Sequence, residues 1–179
     1  MSDIKIEDNL LSLSELRMVQ DLFGPSNSKN TIQNELGIIP WSLINVVQGG
    51  NNYQLSHVLY QSSDPENLVV HYSQQNKLLF PMFFVKMQPK GLLRVKANLQ
   101  MSTSEIIEQD FHCDYPLSYT GVNTSIFYIN SNDGYTEFED GTKIESVANR
   151  LVTFPHHMKH RGTTCTDKPF RLVINFNYF

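Results

Sequence analysis

At 179 residues the chain has the length of one domain, and a hydrophobic content of 40% can bury a sizeable core. Its formal net charge is −4 and its pI about 5.8, which removes the electrostatic ground for expecting nucleic acid or an anionic membrane as the main partner. Two cysteines, Cys113 and Cys165, are too few for a disulfide framework and fit a reducing cytoplasm.

The N-terminal MSDIKIEDNLLSLSE is acidic and has no basic region ahead of an apolar run, so no signal peptide is expected. Ser12 followed by Glu15 reads as a capping box, and Leu13, Leu16, Val19, Leu22 and Phe23 recur at helical spacing. Gly24-Pro25 ends that helix. Asp64-Pro65-Glu66 is a second start signal, and the helix after it should turn Leu68, Val69 and Tyr72 inward before Pro81. The apolar run 78–87 is broken by Pro81 and Lys86 and is too short to span a bilayer. Trp41 is expected in the core, and His57 and His71 have no partner pattern.

After Gly91 the period changes to that of strands. Leu93, Val95, Ala97, Leu99 and Met101 alternate with Arg94, Lys96, Asn98 and Gln100, the pattern of a half-buried strand. Further strands are expected at 111–115, 125–130, 135–138, 150–154, 160–164 and 170–178. Asn132-Asp133-Gly134 and Asp140-Gly141 supply turns between some of them. Helices first and many short strands afterwards predict a mainly β jelly roll or sandwich, a single domain over 1–179 with helical support over about 1–90 and a β core over about 91–179.

Three polar residues carry the chemistry. His112 and Asp114 flank Cys113, and on a strand residues i and i+2 share a face while Cys113 points away. Alone the pair is weak evidence, because a surface loop with a solvated Asp reads the same way. His160, at the start of a later strand candidate, completes two imidazoles and one carboxylate, the facial triad that suits non-haem iron(II) and leaves three positions open. His156 and His157, beside Pro155, are expected in an exposed turn. Arg171 alternates with Leu172, Ile174 and Phe176 and shares its face with Val173, Asn175 and Asn177. If both faces are covered, its guanidinium needs an anion, either a structural Asp or Glu or a bound carboxylate held bidentately. The cysteines default to buried structural thiols.

In this order, His112-x-Asp114, Ile126-Phe-Tyr-Ile-Asn130, Asn132-Asp-Gly-Tyr-Thr-Glu-Phe138, Asn149-Arg-Leu-Val-Thr-Phe154, His160-x-Gly162 and Arg171 resemble the prolyl-hydroxylase-like branch of the 2-oxoglutarate/Fe(II) oxygenases. The small single-domain members encoded by marine bacteriophages are the most similar. The resemblance covers approximately residue 94 to the C-terminus, with an echo in residues 8–15. It implies a double-stranded β-helix, the metal ligands His112, Asp114 and His160, and iron(II), 2-oxoglutarate and O2 as cofactor and co-substrates. It assigns Arg171 and Tyr128 to the far carboxylate of 2-oxoglutarate. Many relatives carry a second tyrosine on the strand before His-x-Asp, where this chain has Asn98 as the substitute. The implied reaction is hydroxylation of an unactivated C–H, with a peptide or protein side chain such as proline as substrate, gripped along residues 101–109 and 130–139. Set against this are a cupin-like protein using the triad without 2-oxoglutarate, a β-sandwich binding module, and an oxygenase acting on a metabolite or nucleic acid.

Overall fold

The computed structural model describes residues 3–25, 31–46, 53–62 and 70–179. Its elements run β1 (Lys5–Glu7), α1 (Leu13–Phe23), α2 (Thr31–Leu36), β2 (Ser42–Asn45), β3 (Tyr53–Ser62), β4 (Val70–Tyr72), α3 (Asn76–Met87), β5 (Leu92–Met101), β6 (Asn123–Tyr128), β7 (Tyr135–Phe138), β8 (Lys143–Glu145), β9 (Arg150–Pro155), β10 (His160–Gly162) and β11 (Phe170–Tyr178).

The capping box forms as expected: Glu15 N donates to Ser12 Oγ at 3.3 Å and Ser12 N to the Glu15 carboxylate at 2.8 Å. α1 then buries Val19, Leu22 and Phe23, and its last turn closes with Gly24 N donating to Gln20 O at 2.8 Å. A Cβ on Gly24 would sit 2.7 Å from that carbonyl oxygen, so the stop requires glycine. Leu13 lies at the cap rather than on the packed stripe and is exposed.

All strand pairs are antiparallel. The large sheet has the order β1-β9-β6-β11-β5-β3-β2, with β4 on β3, and a smaller sheet has the order β10-β7-β8. One face of the large sheet packs Leu172, Ile174, Phe176, Val95 and Phe127 against α1 and α3. Its other face packs Ile126, Tyr128, Val152 and Val173 against Phe138 and Ile144 of the smaller sheet. Helices, a large sheet and a small facing sheet thus form layers around two apolar interfaces, the double-stranded β-helix arrangement. Arg150 and Asn149 fasten the N-terminal segment to this frame. Arg150 Nε donates to Asp8 at 2.6 Å, while Asn149 both receives Leu11 N and donates to Leu11 O at 2.8 Å. Among the described residues no helix is long and apolar enough to cross a membrane.

Several expectations are corrected. The N-terminal part is not purely helical: β2, β3 and β4 extend the large sheet beyond β5. The start signal at 64–66, with Leu68 and Val69, lies outside the described residues. Tyr72 belongs to β4, paired with Tyr60, and is exposed rather than turned inward; Phe80 stacks edge-on against both rings. Pro81 sits inside α3, where burial of Leu79 and Phe83 offsets the lost backbone bond. Residues 111–115 do not form a strand, because only His112 finds a backbone partner, His160. The polar face of β5 is not solvated, since Asn98 and Gln100 are buried, whereas Met101 at its end is exposed. His156 is buried, with its ring Nδ1 at 3.2 Å from Val122 O; only His157 stands out in the turn.

Candidate metal and co-substrate site

The polar face of β5 and the matching face of β11 open into a cavity of about 240 Å³. His112, Asp114 and His160 stand in its wall, and one ligand atom from each lies within 4.8 Å of the others. Two backbone bonds set this spacing: His112 N donates to His160 O and His160 N to His112 O, both at 3.0 Å. The segment before β6 is therefore tied to the start of β10 at the two ligand residues themselves.

Tautomers follow from the hydrogen bonds. His112 Nδ1 is 3.1 Å from Asp110 O, and His160 Nδ1 is 3.1 Å from Met158 O. A carbonyl can only accept, so each Nδ1 carries a proton and Nε2 is the atom turned toward the shared site. Burial lowers the His160 pKa despite the nearby Asp114 carboxylate, which favours the neutral, ligating form. Burial alone would raise the pKa of Asp114, but His160, Arg94, the Asn177 amide and His112 outweigh it and hold the carboxyl at about 2. Arg94 Nη2 donates to Oδ1 at 3.1 Å, while Asn177 Nδ2 and Thr124 Oγ1 donate to Oδ2 at 3.0 and 3.3 Å. Cys113 turns its thiol to His157 O at 3.4 Å. Two imidazoles that present Nε2 and one fixed carboxylate fit a divalent metal with open positions.

Arg171 lies at the other end of the same cavity and is 4% exposed. Among the described residues it has no carboxylate partner. Its Nε donates to Ser146 Oγ at 2.9 Å, Nη2 to Thr136 Oγ1 at 3.1 Å and Nη1 to Gln100 Oε1 at 3.4 Å, and it sits over the Tyr128 ring. Neutral acceptors leave the buried charge uncompensated, and burial lowers its pKa. Tyr128 is fully buried and does not line the cavity; its hydroxyl donates to Thr136 Oγ1 at 2.7 Å. Thr136 does line the cavity. Both its lone pairs are taken by Tyr128 and Arg171, so its own proton is free to point at a ligand. Asn98 also lines the cavity, its Oδ1 accepting from Gln54 Nε2 at 3.2 Å and Ser56 Oγ at 3.3 Å, which leaves its Nδ2 as the donor. Gly162 borders this end: a Cβ there would stand 3.2 Å from Gln109 Oε1 and in ordinary contact with Arg171 Nη1.

The structure thus brings together His112, Asp114, His160, Asn98 and Arg171, with Tyr128 one residue behind the surface. Sequence reasoning missed Thr136, Arg94, Lys96, Asn175 and Asn177. For all of these but Thr136, which lies on β7, the signal was the polar alternation of β5 and β11, which on β5 passed for a solvent face. Burial, helped by Arg94, lowers Lys96 to about 8.

A double-stranded β-helix with a His-Asp-His cluster in a cavity wall is the class of protein that fold and site define. Among solved structures, the chain is similar to a Trichoplax adhaerens prolyl hydroxylase in complex with a hypoxia inducible factor oxygen degradation domain peptide fragment. Identity is 15% and the TM-score 0.64, covering 99% of this chain and 83% of that one. A Burkholderia pseudomallei oxidoreductase of the 2OG-Fe(II) oxygenase family matches at 10% identity and a TM-score of 0.63, over 98% and 85% of the two chains. A non-heme alpha ketoglutarate dependent epimerase from nogalamycin biosynthesis matches at 10% and 0.63, over 99% and 77%. No family model and no curated protein matches the sequence. At these identities the likeness shows the fold.

Proposed function

We propose that the protein is an iron(II)- and 2-oxoglutarate-dependent dioxygenase that hydroxylates an unactivated C–H on an amino-acid side chain, with proline in a peptide or protein the first candidate. The observation that carries the reading is the pairing, in one cavity, of a preformed facial triad with a buried arginine that lacks a counter-ion. Iron(II) with 2-oxoglutarate and O2 supplies the oxidising power, yielding hydroxylated substrate, succinate and CO2. His112, Asp114 and His160 hold the metal on one face. Arg171 and the Thr136 hydroxyl take the far carboxylate of the co-substrate, Tyr128 orients Thr136, and Asn98 donates beside them. The buried walls keep water from the reacting centre. Residues 1–179 serve as a single catalytic domain.

The peptide bound to the Trichoplax neighbour supports a peptide or protein substrate. β7 has both edges paired, by β10 and β8, so residues 135–138 offer no strand edge to a peptide and contact has to come from side chains there. The test is mass spectrometry of a proline-containing peptide library and of cell lysate incubated with enzyme, iron and 2-oxoglutarate. A gain of one oxygen in a peptide, in step with succinate, is expected. Oxygen gained only by an oligonucleotide, or succinate formed with no dependence on the triad, defeats the reading.

A further inference from the structure

The cavity holds more positive charge than iron and co-substrate neutralise. Arg94, Lys96 and Arg171 line it against one carboxylate, Asp114. Iron(II) and the 2-oxoglutarate dianion cancel each other, so a surplus of two positive charges persists with both in place. Arg94 is bound to Asp114, and Arg171 faces the co-substrate carboxylate. Lys96 is the remaining cation: among the described residues it makes no hydrogen bond, direct ion pair or ring contact, and the one carboxylate whose charge it feels, Asp114, is already bound by Arg94 and Asn177.

Its neighbour adds a second unmet demand. In the β5–β11 register Lys96 stands directly opposite Asn175, and both line the cavity. Opposed side chains on antiparallel strands have Cβ atoms about 4.5–5.5 Å apart, so the two act on one ligand group. Asn175 is 8% exposed, and its Oδ1 is buried without a hydrogen-bond partner. An orphaned acceptor beside an unpaired cation calls for a ligand carrying an anion and an N–H together. The pair lies one step along the ladder from Arg94 and Asn177, which hold Asp114, so the ligand would sit next to the metal.

We propose that Lys96 and Asn175 recognise the free α-carboxylate and the α-nitrogen of the substrate, Lys96 pairing with the carboxylate and Asn175 Oδ1 accepting an N–H. This rests on reading the site as an oxygenase of amino-acid side chains, and it narrows the substrate to a residue with a free carboxylate: a free amino or imino acid, or the last residue of a peptide. An internal residue presents a neutral amide in place of the carboxylate and would leave Lys96 buried and unpaired.

The experiment is anaerobic titration calorimetry on full-length protein loaded with Mn(II) and 2-oxoglutarate. The probes are the twenty L-amino acids, their carboxamides, and tripeptides Ala-Ala-X as free acids and as amides. Mn(II) and 2-oxoglutarate binding are measured first; failure there sinks the oxygenase reading and is distinct from failure of the probes. At least one free acid should bind, with its amide at least about thirtyfold weaker. Lys96→Met should lose a similar factor for the acid alone, Lys96→Arg should recover part of it, and both should bind 2-oxoglutarate as the parent does. The amino-acid and tripeptide arms separate the two sources of the carboxylate. The proposal is overturned if no acid binds, if an amide binds as well as its acid, or if Lys96→Met spares the acid. It is equally overturned if that variant weakens 2-oxoglutarate instead.

Discussion

Replacing Arg171 with methionine tests whether its charge serves the fold or a ligand, because the two roles predict opposite signs. In a structural ion pair, removing one partner strands the other and costs about 3–5 kcal/mol. Arg171 strands no charge: its three acceptors are the neutral oxygens of Ser146, Thr136 and Gln100. Losing those bonds is offset by no longer burying an unpaired guanidinium, so the ligand-free Arg171→Met protein should unfold within about 1–2 kcal/mol of the parent. Ligand binding should suffer far more. Loss of one partner of a buried charge pair costs about 2–5 kcal/mol, at least about thirtyfold in the affinity for 2-oxoglutarate. In thermal unfolding of the Mn(II)-loaded protein, 2-oxoglutarate at about a hundred times its Kd should stabilise the parent by about 2.7 kcal/mol; in the variant that gain should fall below about 1 kcal/mol. Mn(II) retention should be unchanged. A ligand-free variant destabilised by about 3 kcal/mol or more, or an undiminished response to 2-oxoglutarate, would refute the reasoning.

His112→Ala and His160→Ala should each abolish iron retention in metal analysis of the purified protein, whereas His156→Ala and His157→Ala should keep it. Loss of iron from either of the latter two would reassign the ligand. Lys96 should make ligand-free stability depend on pH: with its folded pKa lowered to about 8 from 10.5, the protonated form is disfavoured in the native state. Stability should therefore rise as pH climbs from about 8 to 10.5, and Lys96→Met should be the more stable protein at pH 7, on the order of 3 kcal/mol, with the difference vanishing above pH 10.5. Asn149 combines a φ of +69° with two buried bonds to Leu11. Asn149→Gly should cost about 1–3 kcal/mol in denaturant unfolding through the lost bonds, and Asn149→Ala about 1–2 kcal/mol more through left-handed strain; equal losses would show that the backbone conformation is unimportant.

Much of the β core was legible because its strands alternate cleanly and turn residues separate several of them. β7 and β11 fall where the period places them, and β6, β9 and β10 are displaced by at most two residues at an end. The triad was legible for a different reason, that three ligand-type side chains bracket those strands. β3 was not legible. Its Gln54, Ser56, His57 and Tyr60 break the apolar pattern, yet Gln54 and Ser56 bond Asn98 while His57 is held by Pro40 O and Ser73 Oγ. Long-range partners of that kind leave no trace in local periodicity. The same limit hid Thr136, which is ordinary in sequence and becomes a donor only because Tyr128 and Arg171 occupy its lone pairs.

The reciprocal backbone bonds between His112 and His160 have a consequence for the long irregular stretch from Ser102 to Val122. Those bonds close the same ring that a metal would close through the two imidazoles, so the ion and the backbone share one fastener. Metal loading would then act as a clasp on the part beyond Gln109, since residues 102–109 have backbone bonds of their own to residues 162–169, and its loss would release more than a reactive centre. Amides from about 109 to 114 should exchange with solvent faster in the metal-free protein, while β5 and β11 keep their protection. Metal content, read this way, would also set how firmly residues 110–114 are held against β10.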